Sequence, residues 1–94
     1  MDIFDIEDIL ESHEEFGEWM SYEDGKTIFC LEETNWRALH INGSQMRTYG
    51  DVIIDEDKET ITIKTDDRFG FGMHTLVDIT IKAEDIEDFE VGEE

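Results

Sequence analysis

Six carboxylates, Glu7, Asp8, Glu11, Glu14, Glu15 and Glu18, stand closest to a usable chemical pattern in this chain. On a helix rising about 1.5 Å per residue they set one negative charge roughly every 3 Å. One strand of B-DNA sets a phosphate about every 3.4 Å. A carboxylate row of that pitch can engage the Lys and Arg side chains that hold a phosphate backbone. The chemistry it suggests is ionic recognition, with no bond made or broken. Local stability did not select these acids. Glu7/Glu11 and Glu14/Glu18 repel at i,i+4 by a few tenths of a kcal/mol each, and Glu15 and Glu18 crowd the end of the helix that favours cations.

Two further acid clusters stand out. Asp55-Glu56-Asp57 with Glu59 reads as a hairpin tip. A calcium loop would need a glycine at its sixth position and a closing glutamate; residues 55–66 have no glycine and end in Asp66, so no metal is expected. Glu84, Asp85, Glu87, Asp88 and Glu90 either extend an anionic face or begin a solvated tail, and residues 90–94 are read as tail.

Covalent and acid–base chemistry find little support. His13, His40 and His74 are the only histidines, and no two share a metal-ligand spacing. His13 falls near the centre of an apolar helical arc and reads as a hydrogen-bonded core residue. Cys30, the single cysteine, lies in the apolar run 27–31 and reads as a small buried hydrophobe. A reactive thiol would need a positive environment. No phosphate-loop, nucleophile-elbow or Cys–His signature is present. The expectation is a protein that is not an enzyme and takes no cofactor.

Composition sharpens the ionic reading. The chain has 94 residues, with 27 Asp and Glu against 7 Lys and Arg, a formal net charge of −20. Such an excess destabilises a compact state by self-repulsion, and solubility needs far less. Salt adaptation is a poor explanation, because isoleucine is abundant and alanine scarce. Direct contact with nucleic acid or an anionic membrane would be repulsive. The acidic start is unlike a signal peptide and no apolar run approaches a membrane span, so a cytoplasmic location is expected. The acids are also unevenly placed. Residues 34–50 and 68–77 contain none, and they hold Arg37, His40, Arg47, Arg68 and His74.

The elements that must position these charges follow from periodicity. Residues 3–20 read as one amphipathic helix, with Ile6, Ile9, Leu10, His13, Phe16, Gly17 and Met20 on one arc and the six carboxylates on another. Trp19 falls outside the apolar arc. Residues 22–25 read as a turn. From 26 the period becomes two. Strands are expected at 26–32, 36–41, 44–49, 51–55, 60–65 and 74–82. Asn42-Gly43 is the strongest short turn signal and fixes a register in which Ile41 faces Ser44, Leu39 faces Met46 and Trp36 faces Tyr49. Trp36, Tyr49, His40 and Arg47 then share one sheet face as an aromatic contact patch or the cover of a core edge. Ile53, Ile61 and Ile63 are expected on the inner face of the second hairpin. Val77, Ile79 and Ile81 alternate inward on the last strand. Residues 69–72 read as a loop or distorted strand, and 83–89 as a short helical turn docking Ile86 and Phe89. The fold class is α+β in a single domain: an N-terminal amphipathic helix packed on an antiparallel sheet of about five strands.

In charge, size and helix pattern the chain resembles the small acidic inhibitors that imitate DNA, which phages and mobile elements use against restriction, CRISPR or DNA-repair enzymes. That resemblance implies a basic protein partner, a nucleic-acid-binding enzyme, met by the helix acids, by Trp19 and by the tip acids Asp55, Glu56 and Asp57. Two alternatives share the electrostatics. One is an immunity or antitoxin protein anchored by Trp19, Tyr22 or Trp36. The other is a host accessory domain on a basic protein surface. Monomer and dimer are both open.

Overall fold

The computed structural model describes residues 1–17, 19–31, 36–66 and 76–92. An N-terminal helix, α1 (Ile3–Glu11), is followed by a single turn, α2 (Glu14–Gly17). Seven antiparallel strands follow among the described residues: β1 (Met20–Glu23), β2 (Lys26–Phe29), β3 (Trp36–Ile41), β4 (Ser44–Asp55), β5 (Thr60–Asp66), β6 (Leu76–Lys82) and β7 (Phe89–Val91). A 3₁₀ turn, Ala83–Asp85, joins the last two. The α+β architecture expected from periodicity is the one observed, with seven strands in place of about five.

The helix expected over 3–20 is broken. Asp2 caps α1 by accepting the Phe4 N–H at 2.9 Å. At the other end Ser12 Oγ turns back to the Ile9 carbonyl at 2.7 Å, a local bond that competes with helix continuation. The chain then reverses so tightly that a Cβ on Gly17 would collide with the Glu11 carbonyl. His13, expected in the core, lies half-buried at this break, where its carbonyl accepts the Phe16 and Gly17 N–H groups. Ile6, Leu10 and Phe16 keep their buried places, whereas Met20 emerges on a strand and is 40% exposed.

β4 organises the sheet. Tyr49 pairs with Trp36 and with Lys64, and Ile53 pairs with Ile28 and with Thr62. β5 therefore runs along one edge of β4, while β3 and then β2 occupy the other edge in succession. Between them the register against β5 slips. Four steps on β4, from Tyr49 to Ile53, span two on β5, from Lys64 to Thr62, and Gly50 in this stretch adopts a left-handed φ of 64°. A one-residue bulge would turn the following side chains to the other face. A two-residue slip keeps them, so Thr48, Gly50, Val52 and Ile54 are all buried. This phase, inherited from the Asn42-Gly43 hairpin, puts Val52 and Ile54 in the core and half-exposes Ile53, the reverse of the expectation for Ile53. Ile61 and Ile63 do point inward.

The first hairpin pairs in the expected register throughout, from Ile41 with Ser44 to Trp36 with Tyr49. Asn42 (φ 53°) and Gly43 (φ 80°) make the mirror-type turn that suits strand twist. Asp24 (φ 50°) and Gly25 (φ 74°) make a second such turn, so β2, within the strand expected at 26–32, pairs in a hairpin with β1, whose residues fall in the expected helix end and turn.

One face of the sheet is covered by α1 and by the segment after β6. Ile3, Ile6, Leu10, Phe29, Leu39, Ile54, Ile61, Ile63 and Ile86 are fully buried there, with Phe89 nearly so. The docking expected of Ile86 and Phe89 is thus observed, but Phe89 opens a strand. Glu90 and Val91, read as the start of the tail, pair with His40 and Leu39 of β3. Cover runs out at the sheet margins. Ile79 and Ile81 are partly buried against the core, whereas Val77 faces the same side at 37% exposure. Cys30, expected to be buried, is exposed, because the alternation that buries Phe29 turns it outward.

Candidate functional site

The break at Ser12 and His13 divides the carboxylate row. Glu7, Asp8 and Glu11 lie on α1, with Asp8 and Glu11 exposed and Glu7 half-buried; Glu14 is exposed on α2. Glu15 belongs to α2, with its side chain outside the described residues, and Glu18 lies outside them altogether. A continuous twelve-residue row at phosphate pitch is therefore not what the fold presents.

The fold instead joins acids that are far apart in sequence. Lys26 pairs with Asp55 across β2 and β4, and the Asp57 carboxylate lies 3.2 Å from where a Cβ on Gly25 would stand. The turn carrying Glu23 and Asp24 therefore adjoins the tip at residues 55–59. The Ala83 N–H donates to the Glu59 carbonyl at 2.8 Å, which places the tip beside Glu84 and Asp85. From there the acidic segment 84–88 runs to the β3–β4 turn, where Asn42 grips it. Asn42 Nδ2 donates to the Asp85 carbonyl at 2.9 Å, while its Oδ1 accepts the Glu87 and Asp88 N–H groups at 2.7 and 3.1 Å. The Asn42 N–H completes the tie to the Asp88 carbonyl at 2.9 Å. The Met1 ammonium donates to the Ala83 and Ile86 carbonyls at 3.0 and 2.6 Å, bringing Asp2 to the same region. The result is an acidic belt with few bases among its described residues: Lys26, Lys58 and Lys82. Lys82 Nζ reaches Glu84 at 3.9 Å with both side chains mostly exposed, a geometry that holds little energy in water.

Within the belt the acids differ in role. Asp55 Oδ1 accepts the Asp57 and Lys58 N–H groups, each at 3.1 Å, so Asp55 shapes the tip. Asp57 and Glu59 are exposed, and Glu56 is half-buried. Glu84, Asp85, Glu87, Asp88 and Glu90 are all exposed. The juxtaposition was visible in the sequence only as separate clusters, since strand pairing brings them together.

The outer sheet face uses its aromatic residues internally. Arg47 stacks on Trp36 with its Cζ 4.5 Å from the ring centroid. Tyr49 donates its hydroxyl to Asp66 Oδ2 at 2.8 Å. Burial, then that bond, push the Tyr49 phenol above its ordinary range, while Arg47 pulls the other way. Both rings are half-buried. Among the described residues the exposed aromatic side chains are elsewhere: Phe4 at 53% on α1, Tyr22 at 68% near the β1–β2 turn, and Trp19 at 66% at the other end of that hairpin. Trp19 was expected to be free of the core and is.

A shallow pocket of about 210 Å³ opens on the outer face among Leu31, Asp51, Ile53, Thr62, Lys64 and Asp78. Among the described residues no group of three or more His, Cys, Asp and Glu is placed to hold a metal ion, and no helix is long and apolar enough to cross a membrane. His74 and Arg68, with the 69–72 loop, lie outside the described residues.

No protein-family model, curated protein or solved structure matches this chain.

Proposed function

We propose that this protein is an acidic inhibitor that occupies the basic groove of a nucleic-acid-binding protein or nuclease, standing in for DNA in the host cytoplasm. The reading is carried by the acidic belt: strand pairing and the Ala83–Glu59 bond bring three carboxylate clusters of a −20 chain together, and the Asn42 clamp fixes the course of the third. A fold selected for stability alone would disperse such clusters to reduce their repulsion. The belt presents carboxylates along an irregular path, and Glu7, Asp8, Glu11 and Glu14 add a second anionic face. Mimicry of a phosphate backbone then rests on both surfaces and not on one helix. Association is steered by charge and weakens steeply with salt.

The test begins with capture from host lysate at about 50 mM salt, well below the physiological ionic strength at which screening acts within ~8 Å. A retained protein is then tested for displacement of its own nucleic acid by fluorescence anisotropy. The belt variant Asp57→Asn/Glu59→Gln/Asp85→Asn/Glu87→Gln is expected to weaken binding at least tenfold and to flatten its salt dependence. A partner that binds this protein and its nucleic acid simultaneously refutes the reading.

A second reading is favoured by the exposure of Trp19 and Tyr22. An immunity or antitoxin protein would combine the same acids with an aromatic hot spot. In that case Trp19→Ala alone should weaken capture of the partner as much as the belt variant does.

A further inference from the structure

We infer that the free edge of β1 receives an extended, Lys/Arg-rich segment of the basic partner as an added strand. The inference rests on the partner being basic and goes beyond it by assigning a surface and a binding mode. Among the described residues β1 pairs only with β2, and all four of its residues are exposed.

Backbone geometry identifies which groups are offered. Cys30 N–H donates to the Trp19 carbonyl at 2.8 Å, so Trp19 faces Cys30 as a hydrogen-bonded pair. Antiparallel ladders alternate such pairs with pairs whose N–H and C=O groups point away from each other. Met20 opposite Phe29 and Tyr22 opposite Thr27 are of the second kind. Their backbone donors and acceptors therefore point out from the sheet edge. Edge strands of this sort are templates for pairing unless they are blunted. β1 has no proline, and its one charged residue is Glu23, at the turn.

The side chains complete the site. Phe29 and Thr27 are buried on the core face, so their partners Met20 and Tyr22 extend that face past its cover, at 40% and 68% exposure. Trp19 stands on the opposite face. An added strand would thus find an apolar or aromatic surface on each side of the pleat. Charge selects the occupant. Glu23 and Asp24 join the edge to the acidic belt, and a second copy of a −20 chain would bring like charge to it. A segment with Lys or Arg at alternate positions would lay their alkyl stems on one face, over Met20 and Tyr22, as Arg47 already lies on Trp36, and turn the apolar residues between them toward Trp19 on the other face. Backbone pairing gives such complexes affinity, and alternate side chains give them selectivity.

The test uses the full chain and two synthetic peptides of alternating Lys and Val, identical except that one carries N-methyl groups on alternate residues. N-methylation removes backbone donors and keeps the charge. Binding is followed by calorimetry and by ¹⁵N-resolved amide exchange at about 20 mM salt. The unmethylated peptide is expected to bind at least tenfold more tightly and to slow exchange of the Met20 and Tyr22 amides. The double variant Met20→Lys/Tyr22→Lys should abolish that difference while the chain stays folded by circular dichroism. Equal binding of both peptides, or protection elsewhere, overturns the added strand but leaves the electrostatic reading of the belt intact. No binding of either peptide overturns it as well. Dimerisation through β1 without peptide, seen by sedimentation and lost in the double variant, would assign the edge to a second copy and overturn the basic occupant.

Discussion

Asn42 is where turn geometry, segment docking and charge placement meet, and replacing it separates the three. In Asn42→Gly the backbone keeps its left-handed φ of 53° without strain. What is lost is the side chain, with its three bonds to Asp85, Glu87 and Asp88. Each intramolecular hydrogen bond contributes about 0.5–1.5 kcal/mol net. These three are solvent-exposed, so the released groups recover water and the lower end applies, a loss of about 1.5–2.5 kcal/mol. Asn42→Ala should lose about 1 kcal/mol more, because a side chain bearing Cβ resists the left-handed region. Urea unfolding monitored by tryptophan fluorescence measures both. For a domain of this size, 2 kcal/mol corresponds to a fall in Tm of roughly 8–16 °C. The difference between the two variants isolates the backbone contribution, and the Gly variant isolates the clamp. If Asn42→Gly lies within about 0.5 kcal/mol of the parent, a margin typical of inconsequential surface changes, the clamp on 85–88 does not organise this end of the molecule. The belt would then have no fixed geometry to offer a partner.

Two further outcomes test the interior and the outer face. Thr48 is fully buried, and its hydroxyl has no hydrogen-bond partner among the described residues; Thr48→Val should therefore stabilise by about 1 kcal/mol, measured by thermal unfolding. Tyr49 has its pKa raised by burial and by the bond to Asp66, so the unfolded chain ionises first as pH climbs; its contribution is present below the ordinary phenol range and lost above it. Stability should fall more steeply as pH rises above about 10, the ordinary phenol value, in the parent than in Tyr49→Phe, followed by urea titration at each pH.

The sequence was most legible where local chemistry dictates geometry. Asn42-Gly43 fixed a six-pair register that the structure reproduces from Ile41 to Trp36. Asp24-Gly25 is legible as a turn and 26–32 as a strand, but the apolar spacing running through Phe16 and Met20 favours one long helix and hides β1, the first strand of that hairpin. A period of 3.6 cannot report that Ser12 closes on Ile9 or that Gly17 permits a reversal over Glu11. Ile53 was misplaced for another reason. Taken alone, 51–55 has two possible phases, and only its continuity with 44–49 through the two-residue slip selects between them. The site was legible in its ingredients and not in its assembly. Each acid cluster could be read off, yet their convergence depends on pairings such as Lys26 with Asp55 and on the contact between Ala83 and Glu59, both separated by many residues.

The succession of β3 and β2 along a single edge of β4 also bears on the order in which the molecule comes apart. Among the described residues β1 is held by β2 alone, and β2 reaches the rest of the sheet through four pairs with β4. β3, by contrast, is gripped on both sides, by β4 and by β7. The β1–β2 hairpin is thus a small cooperative unit hinged on the far half of β4, and it can open while the other half stays closed. Its opening would bare the buried ring of Phe29 and strip one border from β4. A chain of this charge tolerates such an excursion, because neighbouring molecules repel one another before the bared strands can join.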